Sequence, residues 1–289
     1  MTIVWALLAA LCNAVNVITQ HAASISGPKR TGWHFVSYLL HNTLWLAGWI
    51  ALAGAFVFQA LALSAGQLSV VQPLLVTELV FALALRRTWL RQPIRAVTWW
   101  AAAGTCLALG LFLATAEPQG GRPVPDSRAW VTVTAATLGA AAVLAVLGTR
   151  GPPARRAALL ATATAILWAL VATFIKTTTE TLSQYGVAGM FTHWPLYALA
   201  ASGLAAELLQ QATLHVGPLS VSQPLLVIVD PVMSIGLSVW IFGEYFTQDP
   251  FHLAVGSLAF VALGVAVAVL TRTAPPTMSA EAPGPTVTP

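Results

Sequence analysis

Charge is what this sequence has least of. Thirteen Lys and Arg and nine Asp and Glu are spread over 289 residues, 8% of the chain, where a soluble domain carries about 25%. So few charged side chains cannot clothe a water-facing surface at this size, which excludes a soluble globular protein. Hydrophobic residues make up 57%, so lipid is the expected main solvent. Cysteine is nearly absent. Cys12 and Cys106 both fall in apolar runs, which argues against a disulfide framework. The opening MTIVWALL lacks a basic n-region and reads as an uncleaved first span, not a signal peptide. HExxH, G-x-S-x-G and P-loop motifs are missing, so no enzyme and no cofactor are expected. The net charge of +4 and pI near 9.5 do not signal nucleic acid, because the basic residues sit in short connections where membrane topology accounts for them.

Apolar runs are abundant. A helix needs about 20 mostly apolar residues to cross the hydrocarbon core. Nine runs qualify, at roughly 3–22, 43–65, 69–86, 96–116, 130–148, 157–176, 194–214, 219–242 and 251–271. The amphipathic TGWHFVSYLLHN, residues 31–42, is read as an interfacial lead-in to the second span, with a tenth helix as the alternative. Nine spans place Lys29, Arg30, Arg86, Arg87, Arg91, Arg95, Arg150, Arg155, Arg156 and Arg272 on one face, and only Arg122 and Arg128 on the other. By the positive-inside rule the N-terminus is extracytoplasmic and the C-terminus cytoplasmic, in a plasma membrane. Lys176, at a span edge with Glu180 one turn on, is expected to snorkel to the surface. The fold class expected is an all-α polytopic membrane protein. It comprises a first transmembrane repeat (1–116), a polar linker (117–129), a second repeat (130–271) and a disordered cytoplasmic tail (272–289).

The chain writes one phrase twice. LSVVQPLLV at 68–76 returns as LSVSQPLLV at 219–227, identical at eight of nine positions with an offset of 151. Gln59 and Gln210, Leu63 and Leu214, Gly66 and Gly217 share that offset. An odd number of crossings separates the copies, so the halves are expected to form an inverted-topology pair. Locally, Gly66 and Gly217 can end a helix in the left-handed conformation. Ser69 with Gln72, and Ser220 with Gln223, have the spacing of a capping box. Pro73 and Pro224 then fall in a first turn. The motif is read mainly as a helix-starting device, with Gln72 or Gln223 touching substrate as its second role.

Ionisable residues inside spans are functional candidates by default, since a charge at the bilayer centre costs at least ~2.5–3.5 kcal/mol. Glu78 and Asp230 lie mid-span, and Glu78 aligns under the repeat with Val229, next to Asp230. Pro231 frees the carbonyl of Val227 beside that acid, the kind of helix break that holds a cation or proton in transporters. Glu207, with Gln210 and Gln211 on the same helical face, is the third acid. Asn13, Asn16 and Gln20 share a face of the first span and are read as cavity-lining or helix-bridging amides. The six histidines fall near span ends, where interfacial hydrogen bonding is the default reading. Candidate substrate- or ion-binding residues are therefore Glu78, Asp230, Glu207, Asn13, Asn16, Gln20, Gln59, Gln210, Gln72 and Gln223. Carboxylates and amides with almost no buried base favour a proton, a metal ion or a cationic solute.

On these residues the chain resembles the drug/metabolite transporter superfamily, of the EamA-like kind. LSVSQPLLVIVDPVMSIGLSVWIFGEYFTQDPFHLAVGSLAFVALGVAVAVL is similar to that family's ending: a proline-bearing helix, Gly243–Glu244, a short polar turn and a glycine-containing last helix. Two departures stand out. Family members often have ten helices, and the first half has RRTWLRQP where the Gly-Glu would be. The four-span start and ALSAGQLSVVQPLLV also resemble the NIPA-like magnesium-transporter branch. The resemblance implies alternating access by two inverted bundles and export or exchange of small solutes. The expected function is a secondary transporter exporting a small organic solute, with Glu78 and Asp230 carrying coupling protons or contacting a cationic group, and Asn13, Asn16, Gln59 and Gln210 lining the path. A magnesium transporter and a non-transporting membrane scaffold are the alternatives. The partners are the bilayer and a small-molecule or cation substrate, with a homodimer left open.

Overall fold

In a computed structural model, residues 1–25, 42–89, 91, 93–117, 119–121, 127–216, 219–247 and 249–273 are described. Helix α1 (Thr2–Ile25) pairs with α2 (Thr43–Ala65). The former presents Ala6, Ala9, Ala10 and Ala14, all buried. Small residues let two backbones approach closely, which matters in lipid because no hydrophobic effect drives helices together there. Trp5 stacks on Phe58 across this pair, ring centroids 5.7 Å apart. Asn42 starts α2 as an N-cap, its Oδ1 accepting from the N–H of Leu44 and Trp45 at 2.9 and 3.2 Å.

Helices α3 (Leu68–Leu75), α4 (Glu78–Thr88) and α5 (Ala96–Ala116) complete the first half, and a two-residue strand β1 (Gln119–Gly120) follows. The second half holds α6 (Ser127–Leu147), α7 (Pro153–Thr192), α8 (Trp194–Val216) and α9 (Leu219–Leu237), which runs into a π-helical turn (Ser238–Phe242). Strand β2 (Glu244–Tyr245) and α10 (Pro250–Thr273) end it. Helix α7 is central, packing on α2, α6, α8 and α9, while α5 packs along α10. Eight helical segments among the described residues are long and apolar enough to cross a membrane. Helix α8 has comparable length but carries Glu207, Gln210 and Gln211 and is not one of them. The outer faces stay apolar, with Trp100, Leu107, Val131 and Leu258 exposed, as lipid contact requires. The chain is an α-helical, multi-pass membrane protein.

The connections gather at two ends. At one, Thr2 Oγ1 donates to the carbonyl of Ala65 at 2.8 Å, and β1 pairs antiparallel with β2, Gln119 opposite Tyr245. At the other, Thr98 Oγ1 donates to the carbonyl of Thr273 at 3.2 Å, and Arg156 Nε donates to that of Gly148 at 3.3 Å. Thr2 and Thr273 thus lie at opposite ends of the bundle.

Four local expectations are corrected. The span expected at 157–176 is the middle of the helix 153–192, interrupted only at Gly186 (φ 69°, ψ −176°). Across its expected end, the helix stays buried although it is rich in threonine: Thr173, Thr177 and Thr181 each donate to the carbonyl four residues back, at 2.8, 3.1 and 2.9 Å. Hydroxyls satisfied this way allow the helix to continue buried. Gly66 is extended, not left-handed (φ −157°). Glycine is needed there because a Cβ would overlap the side chain of Thr2. Pro73 is the sixth residue of α3, beyond the first turn, and α3 stops two residues later. The helix break expected at Pro231 falls in the first half instead. Residues 76–77 form tight turns (Val76 N–H to Pro73 O, Thr77 N–H to Leu74 O), whereas α9 runs unbroken through Pro224 and Pro231. The segment 26–41 with Lys29 and Arg30, most of the tail, Gly217 and the side chains of Gln20, Ser220, Arg122 and Arg128 lie outside the described residues.

Candidate functional site

The break at 76–77 sets Glu78 as the first residue of α4, facing α1. Its carboxyl group is hydrogen-bonded to Asn13. Asp230, from α9, accepts from Ser234 Oγ at 3.1 Å and lies within electrostatic reach of Glu78. Both acids are partly buried. They stand where the first half's broken helix meets the second half's α9.

The other expected residues divide. Asn13 joins the pair directly, and Asn16, three residues on, is half-buried and partnered. Gln59 and Gln223 are half-buried. Gln72 is buried, and its Nε2 has no hydrogen-bond partner among the described residues, a costly arrangement for a buried donor. Gln210 accepts from Trp168 Nε1 at 2.6 Å and ties α8 to α7. Glu207 is exposed on α8 and accepts from Gln211 Nε2 at 2.7 Å, so the structure does not bring it to Glu78 and Asp230. His193 and His252 make local bonds near helix ends, to Gly189 and Asp249, as expected of interfacial histidines.

The largest surprise lies at the Thr2 end. Lys176 does not snorkel. It is buried, its Nζ 2.8 Å from Glu244 Oε1 and 4.5 Å from the centroid of the Phe242 ring. Glu244 in turn accepts from the backbone N–H of Leu68 (2.9 Å) and Ser69 (3.1 Å) and from Ser69 Oγ (2.6 Å). The capping-box reading is overturned here, because the cap on α3 comes from Glu244 and not from Gln72. A helix start carries unsatisfied N–H groups and the positive end of the helix dipole, so a carboxylate satisfies both at once. Burial pushes the Glu244 carboxyl up. The Lys176 charge, with hydrogen bonds from Lys176, Ser69 and Leu68, outweighs this and holds it below the ordinary carboxylate range. Sequence reading noted Glu244 only as part of a Gly-Glu motif; its partners are 68 to 176 residues away, a contact no local pattern encodes.

Comparison with known proteins adds no activity. No family model matches the chain, and no solved structure does. Among curated proteins it is similar to an uncharacterized protein of Corynebacterium glutamicum, 26% identical over 275 residues, which covers 94% of this chain and 95% of the relative.

Proposed function

We propose that the chain is a secondary transporter of a small organic solute, working in a plasma membrane by alternating access between its two halves and coupling export to protons at Glu78 and Asp230. The observation that carries this reading is the acid pair within electrostatic reach, one member from each half, at the point where a spanning helix stops and restarts. Carboxylates in a bilayer interior are costly, and a broken helix supplies the mobile element that alternating access requires. The EamA-like resemblance supports the inverted-repeat arrangement, and the distribution of Lys and Arg supports nine spans with an extracytoplasmic N-terminus. In that orientation the Glu244 clamp lies at the extracytoplasmic end.

The test is flux in proteoliposomes with an imposed proton gradient, screened over small organic solutes and Mg²⁺. Proton-driven flux of an organic solute is expected, reduced at least tenfold in the double variant Glu78→Gln, Asp230→Asn. Unchanged flux in that variant removes the coupling role. Flux of Mg²⁺ alone replaces the substrate class.

A further inference from the structure

A cavity that neither acid lines lies in the second half. It holds about 730 Å³ between the start of α6, the later turns of α7 and the start of α8, within the range of drug-sized ligand sites. Its walls are aromatic. Trp130 stacks on Phe174 with centroids 5.2 Å apart, Trp194 closes edge-on against both at 5.2 and 5.9 Å, and Tyr185 stacks on His193 at 4.4 Å. One carboxylate joins them, Glu180, whose Oε2 is buried without a hydrogen-bond partner among the described residues.

The charges around Glu180 do not balance. The nearest cation is Lys176, one turn back, whose ammonium bonds to Glu244. Two carboxylates, Glu180 and Glu244, thus lie within electrostatic range of one ammonium, so an ionised Glu180 beside the aromatic walls has no ion pair of its own among the described residues. Aromatic faces attract cations through their quadrupole, most strongly when desolvated. An anion meets like charge here. A small, strongly hydrated metal ion needs several oxygen ligands, and no group of three or more His, Cys, Asp or Glu suited to a metal occurs among the described residues.

We infer that this cavity is a binding site for an amphipathic organic monocation, an ammonium with an apolar body, with Glu180 as the counter-ion and Trp130, Phe174 and Trp194 as the cage. The site is distinct from the proposed coupling pair, and binding to it does not require transport.

The test uses the full chain in detergent at pH 8. Benzyltrimethylammonium and phenylmethanesulfonate, similar in size and opposite in charge, are titrated by calorimetry and by tryptophan fluorescence. The cation is expected to bind saturably and quench the fluorescence, with the anion at least tenfold weaker. Glu180→Gln weakens the cation at least tenfold with little change in melting temperature, and Trp194→Leu at a half-exposed position lowers the quenching. The Glu78→Gln, Asp230→Asn variant keeps the wild-type affinity even when its flux is lost. Equal binding of the two ions, unchanged affinity in Glu180→Gln, or affinity lost in the double variant each overturns the assignment.

Discussion

Glu244→Ala is expected to be the most damaging single substitution in the chain. It leaves the Lys176 ammonium buried without its counter-ion, and breaking a buried pair by removing one partner costs about 3–5 kcal/mol. It also strips the cap from Leu68 and Ser69, adding roughly 1 kcal/mol. Lys176→Met is expected to do less harm, because Glu244 keeps three hydrogen bonds to α3. The double variant Lys176→Met, Glu244→Gln should recover much of the loss, since neither member of the pair is left as an uncompensated charge and the amide oxygen still accepts from one N–H. Thermal unfolding in detergent measures the cycle. Additive losses in the double variant would show that the two side chains do not act as a unit. The same carboxylate makes a pH prediction. Its folded pKa lies below its ordinary value of 4.5, so its contribution is complete above the ordinary carboxylate range and disappears as pH falls through the folded value. Acid unfolding of wild type should be steeper below pH 4.5 than that of Glu244→Gln.

Gly66→Ala is expected to cost about 1–3 kcal/mol, as overpacking does. The backbone there is extended, which alanine adopts freely, so conformational strain is not the cause. The obstacle is Thr2, whose methyl and hydroxyl occupy the space a Cβ needs. Threonine is stiff at χ1, and its hydroxyl is committed to the Ala65 carbonyl, so it cannot swing aside without losing that bond. The distinguishing measurement is suppression: Thr2→Gly combined with Gly66→Ala should melt closer to Thr2→Gly alone than single-site additivity allows. Absence of suppression would locate the cost elsewhere in the 65–69 turn.

The legible parts of the molecule were those that lipid dictates. A span must be long, apolar and self-bonded, so most helices could be read from hydropathy. An acid in an apolar run has few explanations, so Glu78 and Asp230 stood out before their proximity was visible. Local chemistry failed wherever a distant partner replaced it. Ser69 and Gln72 have capping-box spacing, yet Glu244 occupies the cap. Lys176 reads as an edge residue with Glu180 one turn on, yet the helix continues, with Thr177, Thr179 and Thr181 bonding backward along α7. Pro231 carries the strongest break signal in the sequence, yet α9 passes through it and the chain parts at Val76–Thr77, three residues after Pro73 and without a glycine. The aromatic cavity was invisible for a related reason: its rings come from residues 130, 174, 185 and 194, on three helices whose packing no spacing specifies.

The clamp at Glu244 also imposes an order in time. Leu68 and Ser69 are synthesised some 175 residues before the carboxylate that satisfies them. At about 5–20 residues per second, the first half waits in the membrane for roughly 9–35 seconds with the start of α3 open, its amides held by interfacial water. Only when residue 244 arrives does the helix start become dry and the end of the bundle close. Maturation of the first half is therefore completed by the second, and a nascent chain halted between them would present to the cell a permanently wet helix end.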